Sequence, residues 1–269
     1  MVFFCLKLMF FLPLQPKNFK NMSFIGIIPA RYASSRFPGK PLADINGKPM
    51  IQWVYEQAMK ALPLVYVATD DERIVECVEN FNGNVVITAA TCRSGTDRCA
   101  EAIAKIQLDR EMKFDVVVNI QGDEPFINPM QIHQILGCFD APEVQIATLV
   151  KRFSAGENIF NPNTPKVVVS GEGEALYFSR SPIPYLRDID PAEWSAKHIF
   201  YKHIGLYAYR VDILKALYHL PSGLLEMAES LEQLRWLEKG YRIKVAETDY
   251  ETQAVDTPDD LARLLHKIT

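Results

Sequence analysis

The sequence predicts an α/β protein whose mostly parallel sheet is covered by helices on both faces. Short apolar runs alternate with longer helical segments from residue 24 to residue 138. Strands buried on both faces read as continuous apolar runs, and a crossover helix joins each parallel strand to the next. After about residue 140 the pattern changes to strands with few helices between them, which predicts a smaller mixed-β lobe at 141–210.

The first half of the chain supplies the alternating elements. We predict strands at 24–29, 64–68, 84–88 and 114–120, and helices at 50–62, 71–80, 96–108 and 129–138. Asp70 is the expected N-cap of the second helix, and Ser94 and Gly95 open the third. Cys99 lies on the apolar face of that third helix, which favours core packing over the alternative of a cysteine nucleophile.

The second half contains fewer helices. We predict strands at 144–150, 166–170, 175–179, 204–209 and 242–246, a loop or lid at 181–191, and helices at 223–239 and 258–268. An apolar stripe along 223–239 would be formed by Leu224, Met227, Leu231 and Leu234. Glu226, Glu229 and Gln233 would then share one polar face, which is either a ligand-binding face or an ordinary solvated one.

Composition limits the possible functions. With 269 residues and 48% hydrophobic content, the chain suits one globular domain, or one large domain with a small inserted lobe. The net charge of -4 gives no basic surplus for nucleic acid, so a polyanion would need a local cationic patch. Five cysteines without a CxxC pair argue against a disulfide framework or a zinc site and favour a reducing, cytoplasmic location.

The first 21 residues differ from the rest of the chain. Residues 1–14 are almost wholly apolar, and the chain turns polar at 15–21. Lys7 interrupts the apolar run, no small-residue cleavage site follows, and the run is shorter than the roughly 20 residues of a membrane helix. We interpret 1–21 as a disordered leader or a mis-assigned start, with a membrane anchor as the alternative, and 22–269 as the working domain.

The first functional motif, Pro29 to Leu42, directly follows the first predicted strand. Ligands of open parallel sheets bind beyond the carboxyl ends of the strands. Small residues in this loop would let backbone N–H groups approach phosphate, while Arg31, Arg36 and Lys40 supply countercharge. The loop matches neither a Walker motif nor GxGxxG. Three cations within ten residues at this edge favour an anion site over a basic surface loop.

Two further motifs end predicted strands at the same edge. Ser94-Gly95-Thr96-Asp97-Arg98 opens a helix, where N–H groups can face an anion; Ser94 alone would be only a cap, but Arg98 favours a binding function. Asn119 to Pro125 places Asp123 just past a buried strand, and a carboxylate there is a natural Mg²⁺ ligand. Gly122 would permit close backbone approach to a ligand, which makes a simple polar turn the weaker interpretation.

The remaining polar candidates are less distinctive. Asp256 either binds the same metal as Asp123 or only precedes a helix that Thr257 caps and Pro258 begins. The sequence favours neither interpretation over the other. His203 on a predicted strand would usually be structural. Together with Arg180 and Tyr207, it could instead bind a carboxylate and hydroxyl groups.

These motifs together resemble the 3-deoxy-manno-octulosonate (Kdo) cytidylyltransferase family. The resemblance runs from about Ser23 to the C-terminus through IPARYASSRFPGKPL, SGTDR, NIQGDEP, NPNTPKVV, ALYFSRSPIPY, HIGLYAYR, LLEMAESLEQLR and AVDTPDDL. It implies a Rossmann-like, GT-A-like nucleotidyltransferase fold, a homodimer, CTP and Kdo as substrates, Mg²⁺ as cofactor, and no nucleic-acid or membrane partner. The leader is the one departure from the family pattern.

The resemblance also implies roles for particular residues. Nucleotide binding would involve Ala30, Arg31, Lys40, Ser94, Arg98 and Gln121. Catalysis would depend on Arg31, Lys40 and Asp123, and Mg²⁺ would be held by Asp123 and Asp256. The sugar acid would be bound by Arg36, Gln121, Arg180, His203, Tyr207, Glu229 and Gln233. The 141–210 lobe would carry the dimer contact and part of the sugar site.

Charge screening explains why the reaction needs these groups. An anionic sugar must attack the phosphate of another anion, so a metal and cationic side chains would neutralise the developing charge. Mg²⁺ can also lower the pKa of the sugar hydroxyl, so no dedicated general base is required. The alternatives are a cytidylyltransferase for sialic acid or 8-amino-Kdo, a glycosyltransferase with a nucleotide-sugar donor, and a non-catalytic nucleotide-binding protein. A glycosyltransferase has no need of the cationic loop, and a non-catalytic protein should have lost Lys40 or Asp123.

Overall fold

A nine-stranded mixed sheet lies at the centre of the molecule. The computed structural model describes residues 22–34, 36–251 and 253–268, so the predicted leader at 1–21 lies outside the described residues. The strands are β1 Phe24–Pro29, β2 Asp44–Ile45, β3 Lys48–Pro49, β4 Val65–Thr69, β5 Val85–Ile87, β6 Val116–Asn119, β7 Ile146–Arg152, β8 Lys166–Val169, β9 Ala175–Ser179, β10 Tyr201–Arg210 and β11 Ile243–Glu247. The helices are α1 Met50–Met59, α2 Glu72–Asn80, α3 Gly95–Arg110, α4 Pro129–Gly137, α5 Trp194–Lys197, α6 Val211–Tyr218, α7 Leu224–Glu229, α8 Gln233–Glu238 and α9 Pro258–Ile268.

The strand order confirms the predicted mostly parallel sheet. Along the path β11-β7-β10-β6-β1-β4-β5, only β10 is antiparallel to its two neighbours. β8 pairs with the start of β10 and forms a hairpin with β9, while β2 and β3 form a separate two-stranded ladder. Because β1, β4, β5 and β6 run in one direction, their carboxyl ends and the loops that follow meet at one edge of the sheet.

Helices cover both faces of this sheet, also as predicted. Successive strand residues alternate between two cores: Ile27 and Val117 pack on the α3 side, and Ile28 and Val118 pack on the side of α1 and α4. Cys99 is fully buried on the α3 side, which confirms its predicted packing role. The central strands are thereby fixed from both faces, and the loops at their ends start from rigid positions.

The predicted helix at 223–239 is wrong, because two short helices replace it. Ser230 adopts a left-handed conformation, with φ of 51°, between α7 and α8. The Arg180 guanidinium donates hydrogen bonds to the carbonyls of Glu229 and Ser230, so a side chain satisfies the end of α7. The continuous apolar stripe is therefore lost: Leu231 and Leu234 are buried, whereas Leu224 and Met227 are exposed.

One smaller prediction also needs correction. The side chain of Asp71, not Asp70, caps α2 by accepting a hydrogen bond from the Arg73 N–H, and Asp70 instead pairs with Arg98. The helix α6 was not predicted from the sequence at all. The 141–210 segment contributes β7 and β10 to the main sheet, and its status as a separate lobe stays a prediction. In the described part of the chain, we find no helix of the length and hydropathy that crossing a membrane requires.

Candidate active site

The loops after β1 and β6 and the start of α3 enclose a cavity of about 230 Å³ at the carboxyl edge of the sheet. It brings together all six residues predicted to bind the nucleotide. Its lining includes Ala30, Arg31, Lys40, Ser94, Arg98, Gln121 and Asp123. Residues that are up to 93 positions apart in the chain therefore face one space, which supports an anion site built on the strand ends.

An ion cluster lies at one wall of this cavity. The Nζ of Lys40 is 2.8 Å from an oxygen of Asp123 and 3.3 Å from an oxygen of Asp256. Arg36 reaches the same Asp256 oxygen at 3.2 Å, although its side chain is largely exposed. The two predicted metal ligands, Asp123 and Asp256, thus both contact the Lys40 ammonium. Arg36 contacts the second of these carboxylates.

Backbone contacts hold the two carboxylates in place. The N–H of Val255 donates to the carbonyl of Asp123 at 2.9 Å, which joins the chain before α9 to the turn after β6. Gly122 lies so close to Pro29 that an added Cβ would be 3.0 Å from its carbonyl oxygen. This close approach requires glycine and keeps the Asp123 turn against the end of β1.

The capping arrangement at α9 fixes Asp256. Thr257 Oγ1 accepts from the Asp260 N–H, while the Asp260 carboxylate accepts from the N–H groups of Asp256 and Thr257. Burial would raise the pKa of Asp260, but the hydrogen bonds from Thr257 and Arg263 outweigh it and lower that pKa to about 2. Asp256 therefore precedes a capped helix, and its carboxylate faces that of Asp123 across Lys40, whereas its binding of a metal stays a prediction.

The start of α3 forms the opposite wall. Ser94 Oγ accepts a hydrogen bond from the Asp97 N–H and so caps the helix. The Arg98 guanidinium is buried and engages Thr88 and Asp70, at the ends of β5 and β4, at 2.6 and 3.2 Å. Arg98 borders the cavity but holds its wall together, and its predicted contact with the ligand stays a prediction.

A second cavity, of about 310 Å³, adjoins the first. The two share Gly95 and Gln121, and Gln121 Nε2 donates to the carbonyl of Gly205 at 3.2 Å. The lining comes from β6, β10, α8 and the start of α3, and comprises Gly95, Thr96, Asn119, Gln121, Gly205, Tyr207, Tyr209, Glu232, Gln233 and Trp236. Three of the residues predicted to bind the sugar, Gln121, Tyr207 and Gln233, lie here.

Several buried polar atoms around this second cavity lack hydrogen-bond partners among the described residues. They are Asn119 Oδ1, the hydroxyls of Tyr207 and Tyr209, Gln233 Nε2 and Trp236 Nε1. Unpaired buried polar groups are costly, and folded proteins contain few of them. Their concentration around one cavity therefore points to a polar ligand that supplies the missing partners. Burial raises the pKa of both tyrosines, and Thr148 and Thr96, which approach the two hydroxyls without hydrogen-bond geometry, only partly offset this, so both hydroxyls remain neutral.

His203 lies behind this cavity rather than in its lining. Its Nε2 is 3.0 Å from Thr148 Oγ1, and its ring packs edge-on against Phe178 and beside Tyr207. Burial lowers the pKa of the imidazole to about 4, so the ring is neutral at neutral pH. The observed contacts of the ring support Tyr207, and the predicted contact of His203 with the sugar acid stays a prediction.

Arg180 and Glu229 are bound to each other and line neither cavity. The Glu229 carboxylate accepts from Ser179 Oγ at 2.7 Å and from the Arg180 N–H at 2.9 Å. The Arg180 guanidinium in turn donates to carbonyls at the end of α7 and to that of Pro162. Since the 223–239 helix is broken, the common polar face predicted for Glu226, Glu229 and Gln233 is wrong.

The sequence reasoning missed four residues of the second cavity, namely Asn119, Tyr209, Glu232 and Trp236. In sequence, Asn119 and Tyr209 belong to apolar strands and so resemble core residues, whereas Trp236 lies outside the apolar stripe predicted for 223–239. A polar residue at the carboxyl end of a buried strand was the available signal for Asn119. For Glu232 no signal existed, because its position depends on the break at Ser230.

Comparisons with known proteins agree with this geometry. The family model described as Cytidylyltransferase matches residues 25–244. A 3-deoxy-manno-octulosonate cytidylyltransferase of Parabacteroides distasonis is 59% identical over 91% of this chain and 97% of its own length. One of Bacteroides thetaiotaomicron is 58% identical over 89% and 96%.

Solved structures give the same result. A CMP:2-keto-3-deoxy-manno-octonic acid synthetase complexed with CTP is 43% identical, with a TM-score of 0.81 over 91% of this chain and 98% of that one. A 4-diphosphocytidyl-2C-methyl-D-erythritol synthase of Anaerococcus prevotii, at 13% identity and a TM-score of 0.54, shares the fold alone. The fold and the site thus define a nucleotidyltransferase. Within that class, the chain belongs to the 3-deoxy-manno-octulosonate cytidylyltransferase family.

Proposed function

We propose that this chain transfers CMP from CTP to the anomeric hydroxyl of Kdo and releases pyrophosphate, supplying CMP-Kdo for lipopolysaccharide biosynthesis. The observation that carries this proposal is the pair of adjoining cavities that share Gln121. One is lined by cations and by Asp123, whose carboxylate shares the Lys40 ammonium with Asp256, and these groups suit a nucleoside triphosphate. The other contains uncommitted hydrogen-bonding groups, which suit a polyhydroxylated acid.

The first cavity is assigned to CTP. Arg31 and Lys40 would provide countercharge for the triphosphate. Ala30 and Ser94 line the cavity at the strand ends, where the ribose and the base of CTP would lie. Arg98 keeps the wall at α3 in register with β4 and β5 through Asp70 and Thr88. Preorganised charge of this kind stabilises a transition state without further rearrangement of the site.

Mg²⁺ fits the carboxylate pair. Oxygens of Asp123 and Asp256 already surround one cation, the Lys40 ammonium, and carboxylate oxygens are the donors that Mg²⁺ prefers. No cluster of three or more metal-ligating side chains exists within the described ranges, so phosphate and water would complete the shell. When bound there, Mg²⁺ would screen the phosphate charge and lower the pKa of the attacking hydroxyl.

The reaction is an in-line displacement at the α-phosphate. The anomeric oxygen of the sugar forms the new P–O bond, the bond to the β-phosphate breaks, and pyrophosphate leaves while the hydroxyl proton passes to solvent. Lys40 and Arg31 offset the negative charge that accumulates on the phosphates. Gln121 borders both cavities and so lies where the sugar and the α-phosphate would meet.

The second cavity is assigned to the sugar acid. Gln121, Tyr207 and Gln233 would hydrogen-bond its hydroxyl and carboxylate oxygens, joined by Asn119, Tyr209 and Trp236. Arg36 pairs with Asp256 and lines neither cavity, so its contact with the sugar stays a prediction. His203 supports Tyr207, and Arg180 with Glu229 sets the α7–α8 turn that places Gln233.

The homodimer and the cytosolic location are also part of the proposal. Exposed apolar side chains on β9 and α7, namely Leu176, Leu224 and Met227, would be covered by a second copy of the chain. Cysteines 77, 92, 99 and 138 carry free thiols, which suits a reducing compartment.

A substrate panel tests the proposal. Pyrophosphate release is measured with Mg²⁺ for CTP, UTP, ATP and GTP, each with Kdo, 8-amino-Kdo or sialic acid, and again with a chelator. We expect release with CTP and Kdo only, and its loss with the chelator. Release with another acid would identify that acid as the substrate and would leave the proposed type of reaction unchanged. A folded, CTP-binding protein that releases nothing would contradict the proposal and favour a non-catalytic nucleotide-binding protein.

A further inference from the structure

Glu232 connects the two cavities, and no function has so far been given to it. Its carboxylate accepts a hydrogen bond from Ser94 Oγ at 2.9 Å and one from Thr96 Oγ1 at 2.8 Å. Ser94 lines the first cavity, which was assigned to CTP and is called the nucleotide cavity below. Thr96 and Glu232 line the second cavity, which was assigned to the sugar acid and is called the sugar cavity below. One side chain, from the residue that immediately precedes α8, therefore contacts both ends of the Ser94–Thr96 turn.

The local fold delivers Glu232 to this position. The left-handed Ser230 breaks the helix, so that Glu232 immediately precedes α8 and faces the start of α3. Arg235, whose side chain is only 5% exposed, forms an ion pair with the same carboxylate. Burial raises the pKa of Glu232, and the contacts with Thr96 and Arg235 oppose that rise.

The gripped turn matters because it is shared. Ser94 caps α3, and Gly95 lies against Pro29, where an added Cβ would be 3.2 Å from a ring carbon. Gln233, the residue that follows Glu232 in the chain, lines the sugar cavity. A shift of α8 would therefore be transmitted to the nucleotide-binding turn through the Glu232 carboxylate.

We propose that Glu232 is a positioning residue that holds the nucleotide-binding turn Ser94–Thr96 in register with the sugar cavity. This inference rests on the proposed function of the two cavities. Glu232 acts through the two hydroxyls, which it fixes as donors, so that Ser94 keeps its oxygen lone pair for the helix N–H. Its loss should weaken CTP binding more than it slows turnover at saturating CTP.

The test is Glu232→Gln, with Glu226→Gln as the matched control. Glu226 approaches the same Arg235 at 3.6 Å and caps Gly223, but it lines neither cavity. Charge-assisted hydrogen bonds are the strong ones, so we expect the KM and calorimetric Kd for CTP to rise about tenfold in Glu232→Gln, with kcat within about threefold of wild type. Glu226→Gln should leave both constants unchanged. Equal effects of the two variants, or lower thermal stability without a change in CTP affinity, would overturn the assignment.

A double-mutant cycle with Thr96→Val separates positioning from an independent contact. If Glu232 acts through Thr96, the double variant should bind CTP about as weakly as either single variant, because coupled residues are not additive. If the Kd of the double variant for CTP rose by the product of the two single effects, about a hundredfold, the inference would be contradicted. Wild-type protein that binds CTP but transfers nothing to Kdo would refute the proposed function instead, and the binding cycle would still decide the role of Glu232.

Discussion

The two cavities handle their polar groups in opposite ways. At the wall of the nucleotide cavity, Lys40 and Arg36 pair with Asp123 and Asp256 before any ligand is bound. In the sugar cavity, Asn119, Gln233 and Trp236 keep buried polar atoms without partners in the described structure. Charges removed from water are more costly to leave unpaired than neutral donors and acceptors, and Lys40 and Asp123 are partly buried. If the proposed function is correct, the polar groups of the first site would exchange partners on ligand binding, and those of the second would gain partners.

The largest effect is expected at the carboxylate pair. Asp123→Ala removes one of the two oxygens around Lys40 and one proposed Mg²⁺ ligand, so turnover should fall by about a thousandfold or more while the fold is kept. The measurement is pyrophosphate release at saturating substrates, with circular dichroism as the folding check. Asp109→Ala, at an exposed position on α3, is the control and should be fully active. Normal Mg²⁺-dependent activity of Asp123→Ala would refute the metal assignment.

The sugar cavity should respond in affinity rather than in stability. Tyr209→Phe removes a hydroxyl that lacks a partner among the described residues, so the Tm should stay the same or rise, while the KM for Kdo rises about tenfold. Tyr55 is the matched comparison, because its hydroxyl accepts hydrogen bonds from Asn84. Tyr55→Phe should lower the Tm by about 3 °C and leave the KM unchanged. A stability loss in Tyr209→Phe without a change in KM would make its hydroxyl structural.

A smaller effect should appear in the pH dependence of stability. Burial lowers the pKa of His203 to about 4 from its ordinary 6.5, so only the unfolded chain takes up this proton between those values. The resulting loss of stability is absent above pH 6.5, grows as the pH falls, and is complete below about pH 4. His203→Gln should remove this part of the acid sensitivity, and its Tm should fall about 3 °C less than that of wild type between pH 7 and pH 5. Identical pH profiles would show that His203 is not held neutral.

The smallest effect concerns the cap that orients Asp256. The pKa of Asp260 is lowered from 3.8 to about 2, so its contribution to stability is present at neutral pH and is lost as the pH falls through that range. Asp260→Asn should lower the Tm by about 2 °C at pH 7, and the difference from wild type should narrow toward pH 2. A difference that does not depend on pH would mean that the charge of Asp260 is unimportant.

The sequence predicted the nucleotide side well, because that side is built from contiguous motifs at strand ends. Strands β1 and β9 and helix α9 have the predicted bounds, and the loop after β1 lies where a parallel sheet requires it. The sugar side depends on tertiary contacts. Arg180 satisfies the end of α7 and lets Ser230 turn left-handed, and no periodicity at 223–239 reveals this. The same break moves Glu232 into the site, so its function could be inferred only from coordinates.

The central claim is that this protein joins the CMP group of CTP, bound in the first cavity, to Kdo, bound in the second, by a phosphodiester bond. Phosphorus NMR of purified protein with CTP, Kdo and Mg²⁺ tests it most directly. We predict that the three CTP signals are replaced by one phosphodiester signal and that of pyrophosphate, in equal molar amounts and only when Kdo is present. Formation of CDP with inorganic phosphate, or pyrophosphate without a new phosphodiester, would contradict the account.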